Sequence, residues 1–138
     1  MKHFLKLFLS ILLFSFFTSC NDRLEGDAIE SINAVKIDSI KIVNSIMDVY
    51  TTQTIKTYSN YAQTCEGFYG YDYLHTDQFE REVFSYKFKT ENTCGDEQVR
   101  ASQINFRPQE PGIYTFKFWT GKDATGENTY LEEQIEVN

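Results

Sequence analysis

From Ala34 onward, apolar side chains fall at every second position in one short segment after another. In "REVFSYKFK", Phe84, Tyr86 and Phe88 stand on one side of the alternation and Val83, Ser85, Lys87 and Lys89 on the other. Side chains of a strand alternate between its two faces, so this spacing predicts a half-buried strand with the three rings toward the core. "GIYTFKFW" repeats the arrangement with Tyr114, Phe116 and Phe118 inward, and Leu131, Ile135 and Val137 mark the apolar side of a last strand. Strands are predicted near residues 35–42, 49–60, 66–74, 79–90, 98–107, 112–120 and 129–137. The turn stretches "TENTCGDE" and "TGKDATGEN" hold the Gly, Asn and Asp that permit tight reversals. No segment keeps a helical period of useful length. The pattern therefore predicts an all-β chain, a single antiparallel β-sandwich of about seven strands over residues 34–138.

The beginning of the chain follows another pattern. Between Phe4 and Phe17 the only polar residues are Lys6, Ser10 and Ser15, and Lys2, His3 and Lys6 make the start basic. Charged and then apolar is the order of a secretory leader, and the run falls short of the roughly 20 residues that a spanning helix needs. Thr18 and Ser19 offer small side chains directly before Cys20, where the polar "CNDRLEGD" begins. The stretch Phe17-Thr18-Ser19-Cys20 resembles the signal of bacterial lipoproteins, with Phe17 where that pattern usually has Leu. The resemblance implies a signal peptide over 1–19, cleavage before Cys20, and acyl chains on the Cys20 sulfur such as palmitate. Two or more chains give stable anchoring, since each buried CH2 contributes about 0.8 kcal/mol and one chain holds only marginally. Residues 20–33 then read as the lipidated cysteine and an acidic tether, with Asp22, Glu25, Asp27 and Glu30 and no sustained apolar period.

Charge and cysteine count sharpen this picture. Loss of residues 1–19 removes Lys2 and Lys6, leaving 11 basic side chains against 20 acidic ones, a net charge of −9. Such a domain is repelled by nucleic acid and by anionic headgroups, so membrane contact is expected through lipid on Cys20 and not through a charged face. Three cysteines are an odd count for a secreted chain. With Cys20 lipidated, Cys65 and Cys94 remain, and an oxidising envelope favours their pairing. The disulfide is expected to tie the loop after the second predicted strand to the loop after the fourth.

The C-terminal half adds a second resemblance. "INFRPQEPGIYTFKFW" resembles the penultimate hairpin of immunoglobulin-like and fibronectin-like bacterial domains, where an acidic-Pro-Gly turn leads to an inward tyrosine. The resemblance implies a structural corner at Pro111, Gly112 and Tyr114, with the phenol returning its hydroxyl to upstream backbone. Cys65, Cys94, Phe106, Pro108, Pro111, Gly112 and Tyr114 together resemble small bacterial lipoproteins with one Ig-like domain. That resemblance implies a sandwich and brings no activity with it. Against antibody domains, no Trp lies on the third strand and Cys94 precedes Tyr114 by about 20 residues.

Chemistry-bearing candidates are few. His75 is a single imidazole within "DYLHTDQ", and no nucleophile with a base beside it, and no phosphate-cradling glycine loop, can be read from the chain. No catalytic residue, metal or cofactor is implied. Oxygen groups at Asp123, Glu127 and Asn128, or at Asp72, Asp77 and Glu80, lack a recognisable calcium-loop spacing. The tyrosine-rich "FYGYDY" leaves two readings open. Tyr69, Tyr71 and Tyr73 share one parity, so they form either an exposed face able to grip a protein or a glycan, or rings packed across strands. Together these features lead to the expectation of a lipid-anchored, non-enzymatic Ig-like module of the bacterial cell envelope, on the periplasmic or surface face of the outer membrane. Its partner is expected to be an envelope protein or a glycan. An inhibitor of a basic enzyme such as lysozyme, and a carbohydrate-binding module, are the alternatives.

Overall fold

Nine strands follow one another in the computed structural model, which describes residues 28–138. The leader, Cys20 and the first part of the tether lie outside the described residues. The strands are β1 (Ile29–Val35), β2 (Ser39–Lys41), β3 (Ile46–Met47), β4 (Gln53–Ala62), β5 (Glu66–His75), β6 (Glu80–Thr90), β7 (Glu97–Phe106), β8 (Gly112–Lys122) and β9 (Asn128–Val137). They form two sheets, one of β2, β4 and β7, the other of the remaining six. The fold is all-β and sandwich-like.

β6 is the hub of the large sheet. One edge pairs with β5 over its whole length. The other is shared, with Glu80–Val83 parallel to β8 and Ser85–Thr90 antiparallel to β1. β9 pairs with β8, and β3 adds to β9 in parallel. These two parallel pairs correct the expectation of a purely antiparallel sandwich. The chain reverses from β6 into β7 and again from β7 into β8, so β8 returns in the direction of β6. Laid beside β6, it can pair only in parallel.

The single strand expected over 35–42 is instead two, one in each sheet. Between them Ile37, fully buried, donates its N–H to Trp119 of the large sheet at 3.0 Å, while Asp38 donates to Tyr58 of the small sheet at 2.8 Å. Alternation continues through the crossing, which is why periodicity alone cannot locate it. β1 also begins within the stretch read as tether. Ile29 and Ile32 are about half exposed, so this segment is held by its backbone ladder with β6 more than by apolar burial.

The largest correction concerns which face of β6 is inside. Val83 and Ser85 are fully buried, whereas Phe84, Tyr86 and Phe88 lie half-buried on the outer face of the large sheet. Phe84 packs there against Trp119 and Tyr130 at 6.0 and 6.1 Å between ring centroids, and Phe88 lies over Gly67. A Cβ on Gly67 would come within 2.6 Å of that ring, so only glycine lets it settle there. Inside, Phe116 and Phe118 of β8 and Tyr71 and Tyr73 of β5 flank β6. Small side chains on β6 fit between them, as facing layers interdigitate.

The core gathers Ile37, Ile55, Val83, Phe106, Tyr114, Phe116, Phe118, Ile135 and Val137. Phe106 of β7 reaches across to Tyr114 and Phe116 in edge-on contacts at 5.0 and 4.9 Å, joining the sheets. Edge-to-face ring pairs of this kind contribute about 0.5–1.5 kcal/mol beyond their area. Toward the other end the interior turns polar, with Thr57, Ser59 and Ser85 buried. There a disulfide joins Cys65, in the β4–β5 turn, to Cys94, in the β6–β7 loop, with Cα atoms 4.9 Å apart. Both connections cross between the sheets, so the bond pins the two crossings together. Gln63 donates to Asp96 and accepts from Gly95, both at 2.9 Å, and Thr64 Oγ1 donates to Thr93, so the loops are laced by backbone contacts as well. For about 30 enclosed residues the chain-entropy account gives roughly 3.5 kcal/mol.

Candidate functional site

At the end of the sandwich away from the disulfide, the sheets part between the edge strands β5 and β7. The cleft there has a volume of about 690 Å³. Its shape begins in β5. The β5–β6 register slips between Phe68 and Gly70, where three residues of β5 oppose two of β6. An inserted residue of this kind shifts the alternation that follows it. Tyr69 is left exposed, while Tyr71 and Tyr73 turn inward and pack half-buried against the core. Tyr69, Tyr71 and Tyr73 therefore do not form one face, which corrects the equal-parity expectation.

Tyr71 spans the gap between the sheets, its hydroxyl 2.6 Å from Thr57 Oγ1 of β4. Phe68 lies against the same ring at 4.7 Å. Burial pushes the phenols of Tyr71 and Tyr73 above their ordinary value, against the opposing pull of Thr57 and Ser102 on Tyr71 and of Arg81 on Tyr73. Both are neutral hydrogen-bonding rings throughout the physiological range. His75 ends β5 at the mouth, exposed and edge-on to Tyr73 at 5.5 Å.

The inner wall holds a residue that sequence reasoning passed over. Arg81 follows the parity of Val83 and Ser85, so its side chain turns into the sandwich and is only 7% exposed. Its Nη1 donates to the carbonyls of Asp77, Gln78 and Glu80 at 2.9, 3.0 and 2.8 Å. The guanidinium carbon sits 5.3 Å from the ring centroid of Tyr114. Tyr114 in turn donates its hydroxyl to the carbonyl of Glu110 at 3.0 Å, across the corner formed by Pro111 and Gly112. Gly112 leaves room for the Phe79 ring, which would lie 2.8 Å from a Cβ at that position. The one available signal for Arg81 was its parity, and that became readable only once Val83 was known to face inward.

Charge in the cleft is unlike charge over the rest of the chain. Arg81 and Arg107 line it against the single carboxylate of Glu110, which accepts from Gln78 at 3.0 Å, while the whole chain carries −7. Among the described residues no carboxylate forms an ion pair with Arg81; its charge rests on neutral carbonyls, the Tyr73 hydroxyl and the Tyr114 ring. The arrangement can therefore receive an anionic group between aromatic walls. Comparison with protein-family models, curated proteins and solved structures finds no match for the chain.

The remaining oxygen groups serve local structure. Asp123 Oδ1 accepts from the N–H of Thr125 and of Glu127 and from the Thr125 hydroxyl, and these bonds hold its carboxyl below the usual range. Asp72 accepts from Tyr86 at 3.0 Å, and Asp77 Oδ1 accepts from the N–H of Gln78 at 2.7 Å.

Proposed function

We propose that this chain is a lipid-anchored, non-enzymatic binding module of the bacterial cell envelope, an Ig-like sandwich held off the membrane by Cys20, which takes its partner into the cleft between β5 and β7. The observation that carries the reading is the open seam itself, with a buried arginine that has no carboxylate partner among the described residues and three tyrosines around it. Buried charge is costly unless it is paired, so an Arg kept beside an open cleft is suited to receiving a counter-charge from outside the chain. The Ig-like part is supported by the two facing sheets and by the Tyr114 hydroxyl returning to backbone upstream, a contact that characterises the tyrosine corner. The anchor is supported by the order of residues from Lys2 to Cys20.

Two measurements on cells expressing the full chain test it. Labelled palmitate should enter the wild-type protein and not Cys20→Ser, and blocking the lipoprotein signal peptidase should accumulate the precursor. A photo-crosslinking residue in place of His75, at the mouth of the cleft on the side of Tyr71 and Tyr73, should capture an envelope component. The same residue in place of Lys56, on the outer side of the small sheet, should capture none. Unlabelled wild type would remove the anchor, and equal yields at the two positions would remove the cleft.

A further inference from the structure

Both walls of the cleft are strand edges. β5 and β7 are ten-residue strands that, among the described residues, each pair on one side only, β5 with β6 and β7 with β4. A free edge offers a row of backbone donors and acceptors to any extended chain, and natural edges are blunted by bulges, proline or inward charge. β5 carries such a bulge at Phe68–Gly70. β7 carries none: its register against β4 runs unbroken from Glu97 to Phe106, and no proline interrupts it. Gln103, Ile104 and Asn105 of this regular edge line the cleft.

The second observation is the charge at the inner wall. Phe106, the last residue of β7, meets Tyr114 at 5.0 Å, and Arg81 lies 5.3 Å from the same ring. The guanidinium is thus within about 10 Å of the Phe106 ring at the end of β7, within reach of a few extended residues at ~3.3 Å each. A planar guanidinium matches a carboxylate in geometry and charge. The field of a chain with net charge −7 opposes a polyacidic partner, so a single carboxylate suits the site better than an acidic run.

We infer that the occupant of the cleft is an extended peptide that adds to the free edge of β7 and places one carboxylate beside Arg81. This rests on the reading of the cleft as the binding site and specifies its ligand. Backbone pairing supplies affinity in such strand addition, and a pocket for one group supplies selectivity. The carboxylate comes either from a C-terminus or from an Asp or Glu side chain.

The test uses the full chain with Cys20→Ser and three arrays of randomised seven-residue peptides. One array is neutral with free carboxyl ends, one is neutral with amidated ends, and one is amidated with a single internal Asp or Glu. Binders are expected from the first or the third array, which identifies the source of the carboxylate, and not from the second. The best binder should weaken at least tenfold when alternate backbone nitrogens are methylated in one of the two possible registers. It should weaken to a similar degree on Arg81→Lys protein that retains the wild-type circular dichroism spectrum. Equal capture by acid and amide arrays, or indifference to methylation in both registers, would overturn the inference. So would the absence of binders from all arrays while a crosslinker at position 75 still captures its adduct in cells, an outcome that spares the cleft. Loss of the adduct at position 75 itself would bring down the cleft and this inference together.

Discussion

The guanidinium of Arg81 lies over the ring of Tyr114, and each residue is tied through its polar end to a different loop at the same end of the sandwich. Arg81 holds the 77–80 turn by three carbonyls, and Tyr114 holds the 107–111 corner through Glu110. They stand on β6 and β8, one of the two parallel pairs. Removing the charge strands three acceptors and the ring together. Arg81→Met should therefore cost about 2–4 kcal/mol, combining a charged hydrogen-bond network with a partly desolvated cation–π contact. Denaturant melts should show a lower midpoint with an unchanged slope. A wild-type midpoint would mean that the network contributes nothing to stability.

Tyr114→Phe keeps the ring under Arg81 and deletes only the hydroxyl, leaving the Glu110 carbonyl without that donor. The expected loss is about 1–3 kcal/mol, the penalty for an unpaired buried polar group. Tyr69→Phe, at a side chain 54% exposed, should stay within about ±0.5 kcal/mol. Matched melts of the two variants give the difference, and equal stabilities would show that the corner bond carries no weight.

The inward face of β6 can be tested by moving one charge by one residue. Val83→Asp places a carboxylate where the wild-type side chain is fully buried, at a cost exceeding about 4 kcal/mol, enough to threaten the fold. Phe84→Asp loses ring contacts to Trp119 and Tyr130 but leaves the charge reachable by water, for about 1–2 kcal/mol. Thermal melts of soluble protein should rank Phe84→Asp well above Val83→Asp. The opposite order would restore the inward assignment of the three rings.

Acid should weaken the disulfide end through Glu66. Burial opposes the charge of this carboxyl, but the hydrogen bonds from Lys87 and from the N–H of Ala62, with the charges of Lys87 and Lys89, outweigh it and hold its pKa below the usual value. A carboxyl depressed on folding contributes stability that is complete above its unfolded pKa, near ~4.3, and is lost as pH falls through the folded pKa. Glu66→Gln should thus cost about 1 kcal/mol at pH 7, and the gap to wild type should close on acidification. Melts at pH 7 and at roughly pH 3 measure it; a gap of constant size would point to packing instead of charge.

Much of the framework was legible in the chain. The six strands from β4 to β9 fall close to the segments marked by alternation, because a strand's period is local and a turn needs its own Gly, Asn or Asp. The Cys65–Cys94 bond was legible by count once Cys20 was set apart, and its loops follow from the strand order. Tyr114, Phe116 and Phe118 could be assigned inward as three consecutive rings on one side of β8, against Thr115 and Lys117 on the other.

What alternation left open is which side of a strand faces in when both sides can be covered. On β6 that choice fell to the neighbours: the rings of β5 and β8 fill the interior beside Val83 and Ser85, and Phe84 finds Trp119 and Tyr130 outside. One inserted residue between Phe68 and Gly70 split the tyrosine row, and the crossing at Ile37 divided one apparent strand between two sheets. By itself the sequence determined where strands lie and how they turn, since those depend on neighbours along the chain, and the cysteine count left one pair. The burial of Arg81, its place over Tyr114 and the opening of the cleft depend on which sheet each strand joins and which face it turns inward. Those are contacts between residues distant in sequence, and only the tertiary structure decided them.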